Sequence, residues 1–110
     1  MIKRVSLVRR LPGLSRDEFV THWSGPHVEI VRGLPGLRGL RLGVVSAWTP
    51  AEAAWDGVGE LWFDSRDAAE RAFATEPFAS QLGADRPLFL AELQSAFVEE
   101  LTVVPPPAGR

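Results

Sequence analysis

Cysteine is absent from the 110 residues of this chain. Without a thiol the protein can form no disulfide, and it offers neither a thiolate metal ligand nor a cysteine nucleophile. Long apolar runs are also missing, since none approaches the length of a membrane-spanning helix, about 18 residues. The first ten residues, MIKRVSLVRR, lack the apolar core of a signal peptide. We therefore expect a cytoplasmic protein without a membrane partner.

An excess of positive charge is likewise missing. Twelve Lys and Arg face fourteen Asp and Glu, for a formal net charge of −2. This balance gives no electrostatic reason to expect a nucleic-acid partner. Hydrophobic residues make up 45% and charged residues 24% of the chain, which is typical of a globular domain. We expect one domain over residues 1–104 and a proline-rich tail over residues 105–110.

Alternating and helical spacings of apolar residues predict the order strand–helix–strand–strand–helix–strand. The predicted strands cover residues 2–8, 38–48, 57–63 and 96–104. Helices are predicted over residues 16–32 and from Ser65 to about residue 75, whereas residues 78–93 suggest a polar loop followed by a short helix. This βαββαβ order is typical of α+β ferredoxin-like folds, in which a four-stranded antiparallel sheet carries its helices on one face.

Both faces of the predicted strands carry apolar residues. They are Ile2, Val5, Leu7, Val8, Val58, Leu61, Trp62 and Phe63. The two helices of so short a chain cover one face only, which leaves the second face to be buried against something else. We therefore expect a homodimer in which two sheets stack on each other.

The first predicted helix has a marked beginning and an interruption. Ser15, followed three residues later by Glu18, is the pattern of a capping box. Further along, Gly25 and Pro26 interrupt the helix, because proline lacks an N–H and its ring clashes with the carbonyl one turn earlier. We expect a kink at this pair.

Residues 11–40, LPGLSRDEFVTHWSGPHVEIVRGLPGLRGL, resemble the first half of EthD-domain proteins, a family of the dimeric α/β-barrel superfamily. That family's pattern is a Pro-Gly turn, a helical Phe, a Trp, a His four residues later and Leu-Pro-Gly before the second strand. This chain is similar at Phe19, Trp23, His27 and residues 34–36. Its WDGVGELWF and the Gly-Ala-Asp at residues 83–85 also resemble the family.

The resemblance implies a dimeric α/β barrel with a small pocket in each subunit, between the sheet and the helices. Relatives include cofactor-free monooxygenases, muconolactone-type isomerases, and polyketide cyclases and dehydratases, and in several of them a helical His is the acid or base. Relatives often carry a Tyr on the second strand, where this chain has Leu40. Because the chain has no Tyr, a tyrosine proton donor is excluded and the reaction type stays open.

Both histidines of the chain lie in the sequence HWSGPH. At about 100° per residue, Trp23 and His27 share the apolar helix face, whereas His22 lies about 140° from His27. We therefore expect His27 to face the sheet and His22 to face solvent or the rim. An imidazole titrates near neutral pH, so His27 is the candidate acid or base; alternatively it bonds a carbonyl freed by Pro26. The five-residue spacing and the lack of a third histidine favour no metal site.

Glu60 is unusual because it lies within an apolar, internal-looking strand. A carboxylate there needs a partner or water. It either orients His27, binds a substrate hydroxyl, or forms a structural ion pair with Arg4 or Arg41.

Two tryptophans and one aspartate are also candidates for specific roles. Trp23 and Trp62 are candidates for the walls of a flat site that suits planar substrates. Asp85, in the sequence GADRP, is expected to cap the helix that follows it.

Two functions fit these residues. In the first, the protein is a small cofactor-independent enzyme in which His27 transfers a proton on an enolisable or aromatic, phenolic or polyketide-like substrate. Trp23, Glu60 and Trp62 would bind that substrate, and the reaction would be isomerisation, cyclisation, dehydration or oxygenation. In the second, a non-catalytic dimer binds or sequesters a small hydrophobic metabolite, with His27 as a hydrogen-bonding anchor.

Overall fold

The structure is a computed structural model that describes residues 1–46, 48–50 and 54–108. Its strands are β1 (Ile2–Arg10), β2 (Gly39–Val44), β3 (Gly57–Phe63) and β4 (Leu90–Val98). Its helices are α1 (Arg16–His22), α2 (Val28–Val31), α3 (Arg66–Ala74) and α4 (Phe78–Asp85). A π-helical turn (Trp23–His27) joins α1 to α2, and a short 3₁₀ turn (Arg86–Leu88) joins α4 to β4.

The four strands form one antiparallel sheet in the order β2-β3-β1-β4. Successive side chains of a strand point to opposite faces, and in β3 every second residue is buried. We call the side that packs against the helices the helix face and the other side the outer face. The predicted α+β ferredoxin-like fold, with four antiparallel strands and helices on one face, is confirmed.

The start of α1 confirms the predicted capping box. The Ser15 hydroxyl accepts a hydrogen bond from the Glu18 backbone N–H at 3.0 Å, and the Glu18 carboxylate accepts one from the Ser15 N–H at 2.9 Å. These two bonds satisfy backbone donors that the first helical turn cannot pair internally. The capping box therefore fixes where α1 begins.

The predicted kink is a π-helical turn. Pro26 has no N–H to bond the carbonyl one turn earlier, and an α-helical turn would press its ring against that carbonyl. A π turn is wider, because its hydrogen bonds span five residues rather than four. The turn from Trp23 to His27 thus accommodates the proline while the helix continues into α2.

The second strand is shorter than predicted. The predicted second strand reached residue 48, but β2 ends at Val44, and Trp48 is fully in solvent at 96% exposure. Val44 pairs with Gly57, where β3 begins, so β3 has no residue left to extend this pairing. Ala47, which the predicted strand included, lies outside the described residues.

The segment 78–93 was predicted wrongly. It forms α4 and the 3₁₀ turn, and its end already belongs to β4. The last strand therefore covers Leu90–Val98 rather than residues 96–104. Lys3 of β1 pairs with Val98, so residues after Val98 have almost no partner strand left, despite the strand propensity of Thr102 and Val103.

The core on the helix face consists of two groups of buried side chains. One lies beneath α2, α3 and α4 and comprises Val31, Leu34, Leu61, Phe63, Ala69, Ala72 and Leu82. The other lies beneath α1 and the 3₁₀ turn and comprises Val8, Phe19, Trp23, Phe89 and Leu90. No helix in the described part of the chain has the length and hydropathy that a membrane span requires.

Candidate active site

A cavity lies between the helix face of the sheet and the helices. Its walls include His27 and Trp23 from the π turn, Leu40 and Leu42 from β2, Arg4 from β1, and Arg86 from the 3₁₀ turn. The centre of a water molecule can occupy about 40 Å³ of this cavity without contacting the walls too closely. Since one water needs roughly 10–15 Å³ by this measure, the cavity as it stands holds only a few waters. Most of its lining is apolar, and His27 is one of its few polar groups.

One carboxylate holds both histidines. Asp85, at the end of α4, has one oxygen 2.8 Å from His27 Nδ1 and the other 2.8 Å from His22 Nε2. We call these three residues the histidine–aspartate cluster. The Asp85 side chain is only 8% exposed, so the two imidazole N–H groups replace the water that an ionised carboxylate would otherwise need.

The cluster contradicts two predictions. His22 lies at the rim rather than in solvent, with its side chain 25% exposed, but it is not turned away from His27, because both rings bond Asp85. Asp85 does not cap the following 3₁₀ turn with its side chain, since both of its oxygens face the histidines. The α-helical angle of about 140° misled, because the π turn brings residues five apart onto one face of the helix. In the sequence, the sign of this π turn was Pro26, which lies between the two histidines and directly before His27.

Hydrogen bonding sets the tautomer of His27. An ionised Asp85 only accepts hydrogen bonds, so His27 Nδ1 carries the proton that it donates. Nε2 is then the unprotonated nitrogen of the neutral ring. This is the arrangement in which a carboxylate orients an imidazole and stabilises the imidazolium that forms when the ring takes a proton.

Burial and charge act in opposite directions on His27. Burial lowers the pKa of His27 below its usual 6.5, and the hydrogen bond and charge of Asp85 oppose this without cancelling it. The neighbouring Arg86 guanidinium and His22 imidazole lower the pKa of His27 further. At neutral pH the ring is therefore neutral, which is the form of a general base.

Aromatic rings pack against the histidine–aspartate cluster. The fully buried Phe89 ring lies 4.6 Å from the His22 ring and 5.0 Å from the His27 ring, centre to centre. Phe19 stacks on Trp23 at 5.2 Å and also contacts Phe89. The imidazoles are thus held by packing on one side and by a carboxylate on the other.

Glu60 and Trp62 do not join His27 and Trp23. They lie on the outer face, with the sheet between them and the cavity. Glu60 forms the ion pair that was one of its predicted alternatives, but with Lys3, at 2.6 Å, rather than with Arg4 or Arg41. Trp62 donates a hydrogen bond from its indole N–H to Glu100 at 3.1 Å. Trp23 and Trp62 therefore cannot wall the same pocket, and Glu60 does not orient His27.

Leu40 occupies the cavity wall. It is the residue that stands where many relatives are expected to carry a tyrosine, and it contributes no hydroxyl to the cavity. Among the described residues, no group of three or more His, Asp and Glu is arranged to hold a metal ion.

These features define an α+β protein of ferredoxin-like fold with a histidine-lined cavity between sheet and helices. The EthD domain model matches residues 11–92, which is most of the chain. The protein therefore belongs to the EthD family, as the sequence resemblance predicted.

Solved structures confirm the fold. An EthD family protein from Bacillus halodurans has a TM-score of 0.75 at 22% identity, over 92% of this chain and 99% of that chain. A dimeric protein of ferredoxin-like fold and unknown function from Bacteroides fragilis has a TM-score of 0.66 at 16% identity, over 90% and 95%. A mutant of the cofactor-independent oxygenase SnoaB from Streptomyces nogalater has a TM-score of 0.66 at 16% identity, over 96% and 97%. None of the curated proteins gives a significant sequence match.

Proposed function

We propose that this protein is a small cofactor-independent enzyme in which His27 transfers a proton on an enolisable or aromatic small molecule. The observation that carries the proposal is the 2.8 Å hydrogen bond from His27 Nδ1 to the buried Asp85, at the wall of a mostly apolar cavity. The similarity in fold to a cofactor-independent oxygenase supports the class of chemistry.

The first step is removal of a proton from carbon. His27 Nε2 accepts the proton next to a substrate carbonyl, the C–H electron pair becomes the enolate, and Asp85 stabilises the imidazolium. Protonation of the enolate at another carbon gives isomerisation, attack on a second carbonyl gives cyclisation, and loss of a β-hydroxyl gives dehydration. Electron transfer from the enolate to molecular oxygen begins oxygenation.

The same imidazole must also return the proton. Leu40 supplies no hydroxyl, and the hydroxyl of Ser6, another cavity residue, is a far weaker acid than an imidazolium. The imidazolium of His27 is then the proton donor within reach of the product, and its lowered pKa makes it an adequate acid. A single residue thus acts in turn as base and acid.

Deuterium exchange tests this role without knowledge of the substrate. 2-Tetralone, a neutral enolisable aromatic ketone, is incubated with the protein in D₂O, and loss of its α-proton signal is followed by NMR. We expect His27→Gln to slow the protein-dependent exchange by about 100-fold or more, because a positioned general base contributes about that much. The rate should rise with pH through a pKa below 6.5 and then level off, since only the neutral ring is a base.

The controls separate the cluster's members. His22→Gln keeps the Asp85–His27 bond, so it should retain most of the exchange activity. Dialysis against EDTA should leave the rate unchanged. Unchanged exchange in folded His27→Gln, judged by near-ultraviolet circular dichroism, would rule out the acid–base role. Binding of 2-tetralone without exchange in the unaltered protein would instead favour the binding-protein alternative.

We also propose that the outer face joins two copies of the chain. Its apolar residues are Val5, Leu7, Val58, Trp62, Ala96 and Val98, and none of the described helices covers them. The similarity to a dimeric ferredoxin-like protein supports this arrangement. Analytical ultracentrifugation should find a dimer for the unaltered protein and for Glu29→Lys, a control on an exposed helix position, and a folded monomer for Leu7→Glu. A dimer of Leu7→Glu would exclude this interface.

A further inference from the structure

Two arginines stand where the cavity meets the surface. Arg4 and Arg86 line the cavity. Both also line a second space on the helix side of the sheet, a surface groove of about 400 Å³ that opens to solvent between α3, α4 and β4. Phe73 and Leu82 border both spaces as well. These four side chains therefore lie where the groove adjoins the cavity, and we call them the mouth of the cavity.

Neither guanidinium has a carboxylate partner among the described residues, since none lies within 4.0 Å. Among the described residues, the hydrogen-bond acceptors of the Arg4 guanidinium are two hydroxyls, that of Ser6 at 2.9 Å and that of Ser95 at 2.8 Å. Arg86 Nε is buried without a hydrogen-bond partner. Hydroxyls orient a guanidinium but do not neutralise it.

The acidic groups nearby are already engaged. Asp85 adjoins Arg86 and attracts it, but its oxygens bond the two histidines. Glu70, on the wall of the groove, accepts a hydrogen bond from Arg66 at 2.8 Å. The mouth thus keeps an excess of positive charge.

That charge is held at a cost. Burial, and then the neighbouring charge of Arg86, lower the pKa of Arg4 to about 10, and burial also lowers the pKa of Arg86. A folded chain places two desolvated cations side by side at a loss of stability, unless something negative binds between them. The five N–H donors of a guanidinium match the two oxygens of a carboxylate.

We infer that Arg4 and Arg86 bind the carboxylate of an anionic substrate at the cavity mouth, with its apolar part directed towards Trp23 and His27. The reactive half of this statement rests on the proposed function; the anion site itself does not. The substrate class is an aromatic or alicyclic carboxylic acid that carries an enolisable carbon. The cavity has room for only a few waters, so the side chains at its mouth must move when such a ligand enters.

A matched pair of inert probes tests the anion site. Phenylacetate and phenylacetamide have nearly the same shape and differ in charge, and their binding is followed by NMR shifts of the ¹⁵N-labelled protein, including the arginine Nε–H signals. We expect phenylacetate to bind about tenfold or more tightly, because hydrogen bonds to a charged group are the stronger ones. Inorganic phosphate is the third probe, and we expect it to bind more weakly than phenylacetate.

Substitutions locate the preference. Arg86→Gln and Arg4→Gln should each remove the preference for phenylacetate over phenylacetamide. Arg86→Lys should keep part of the preference, since the charge remains but the paired N–H donors that bind both carboxylate oxygens are lost. Arg71→Gln, which removes the same charge from an exposed position of α3, should leave it unchanged. If Arg4→Gln does not fold, Arg86→Gln and Ser95→Ala, which removes a hydroxyl that orients Arg4, still test the site.

The outcomes separate this inference from the proposed function. Equal binding of the two phenyl probes, or binding of phosphate as tight as that of phenylacetate, overturns the carboxylate site even if 2-tetralone exchange depends on His27. A charge preference that Arg86→Gln removes, together with exchange that His27→Gln leaves unchanged, upholds the anion site and refutes the acid–base role.

Discussion

The two faces of the sheet carry similar residues in different surroundings. Each face has a tryptophan and a group of charged side chains beside it. On the outer face, Lys3 lies 2.6 Å from Glu60 and 3.1 Å from Glu100, so the cation is matched by carboxylates. On the helix face, the cations Arg4 and Arg86 have no carboxylate within 4.0 Å in the described part of the chain, and they line a cavity that His27 also lines.

This difference indicates where to look for chemistry. Paired charges already satisfy one another and leave little capacity to bind a further group. Unpaired cations and a carboxylate-bound imidazole at a cavity leave binding capacity unused, and perturbed groups of that kind concentrate at functional sites. The outer face therefore has the character of an interface and the helix face that of a site.

The largest expected effect separates the two tryptophans. Trp23 is 3% exposed and stacks on Phe19, so Trp23→Ala should lower the free energy of unfolding by about 3–5 kcal/mol. Trp62→Ala on the half-buried outer face should cost less, nearer the about 1 kcal/mol of an average substitution. Urea denaturation measures both losses in the Leu7→Glu background, in which the proposed dimer interface is open to solvent. Equal losses would contradict the distinction between the faces.

The next effect concerns the carboxylate of the cluster. Asp85→Asn keeps the shape but removes the charge that both histidines bond, and should cost about 1.5–3 kcal/mol of unfolding free energy. Because Asp85 raises the pKa of His27, the pKa of His27 should fall further in this variant. Titration of the imidazole C–H signals by NMR measures it, and an unchanged His27 pKa would refute the coupling.

Glycines on the two faces provide a smaller, matched contrast. A Cβ on Gly57 would lie 2.5 Å from the Trp23 ring, whereas a Cβ on Gly43 of the outer face meets nothing closer than 3.6 Å. Gly57→Ala should therefore cost about 1–3 kcal/mol through overpacking. Gly43→Ala should leave thermal stability nearly unchanged. The contrast fails if both variants melt at the temperature of the unaltered protein.

The smallest expected effect is the ion pair on the outer face. The side chains of Lys3 and Glu60 are 12% and 29% exposed. A double-mutant cycle with Lys3→Met and Glu60→Gln should give a coupling of no more than about 1 kcal/mol. The 2-tetralone exchange rate should not change in either variant. A loss of exchange would show that Glu60 acts at the His27 site, although the sheet lies between them.

Much of the fold was predictable because local signals agreed with the final packing. The capping box placed the start of α1, and β3 was predicted with its observed bounds. The end of the chain was not predictable in this way. β4 stops at Val98 because β1 runs out of residues to pair with it, and strand propensity carries no information about the length of a partner strand.

The candidate site was predicted in part. Helical spacing directed His27 to the apolar face with Trp23, and both line the cavity. Strand alternation placed Glu60 and Trp62 on one face of β3 without showing that the sheet separates them from His27. Arg4 was considered only as a partner for Glu60, and Arg86 was not considered at all. An arginine in a sequence indicates a charge, but not whether a carboxylate will lie beside it.

By itself, the sequence determined the strand and helix order, the start of α1, the inward direction of His27 and the absence of thiol or tyrosine chemistry. These follow from local periodicity, capping and composition. Tertiary structure alone decided that His22 joins His27 on Asp85, and that two arginines line one cavity with no carboxylate of the described residues within 4.0 Å. The first depends on the width of a turn that contains Pro26, and the second on segments that are about 80 residues apart until the sheet forms.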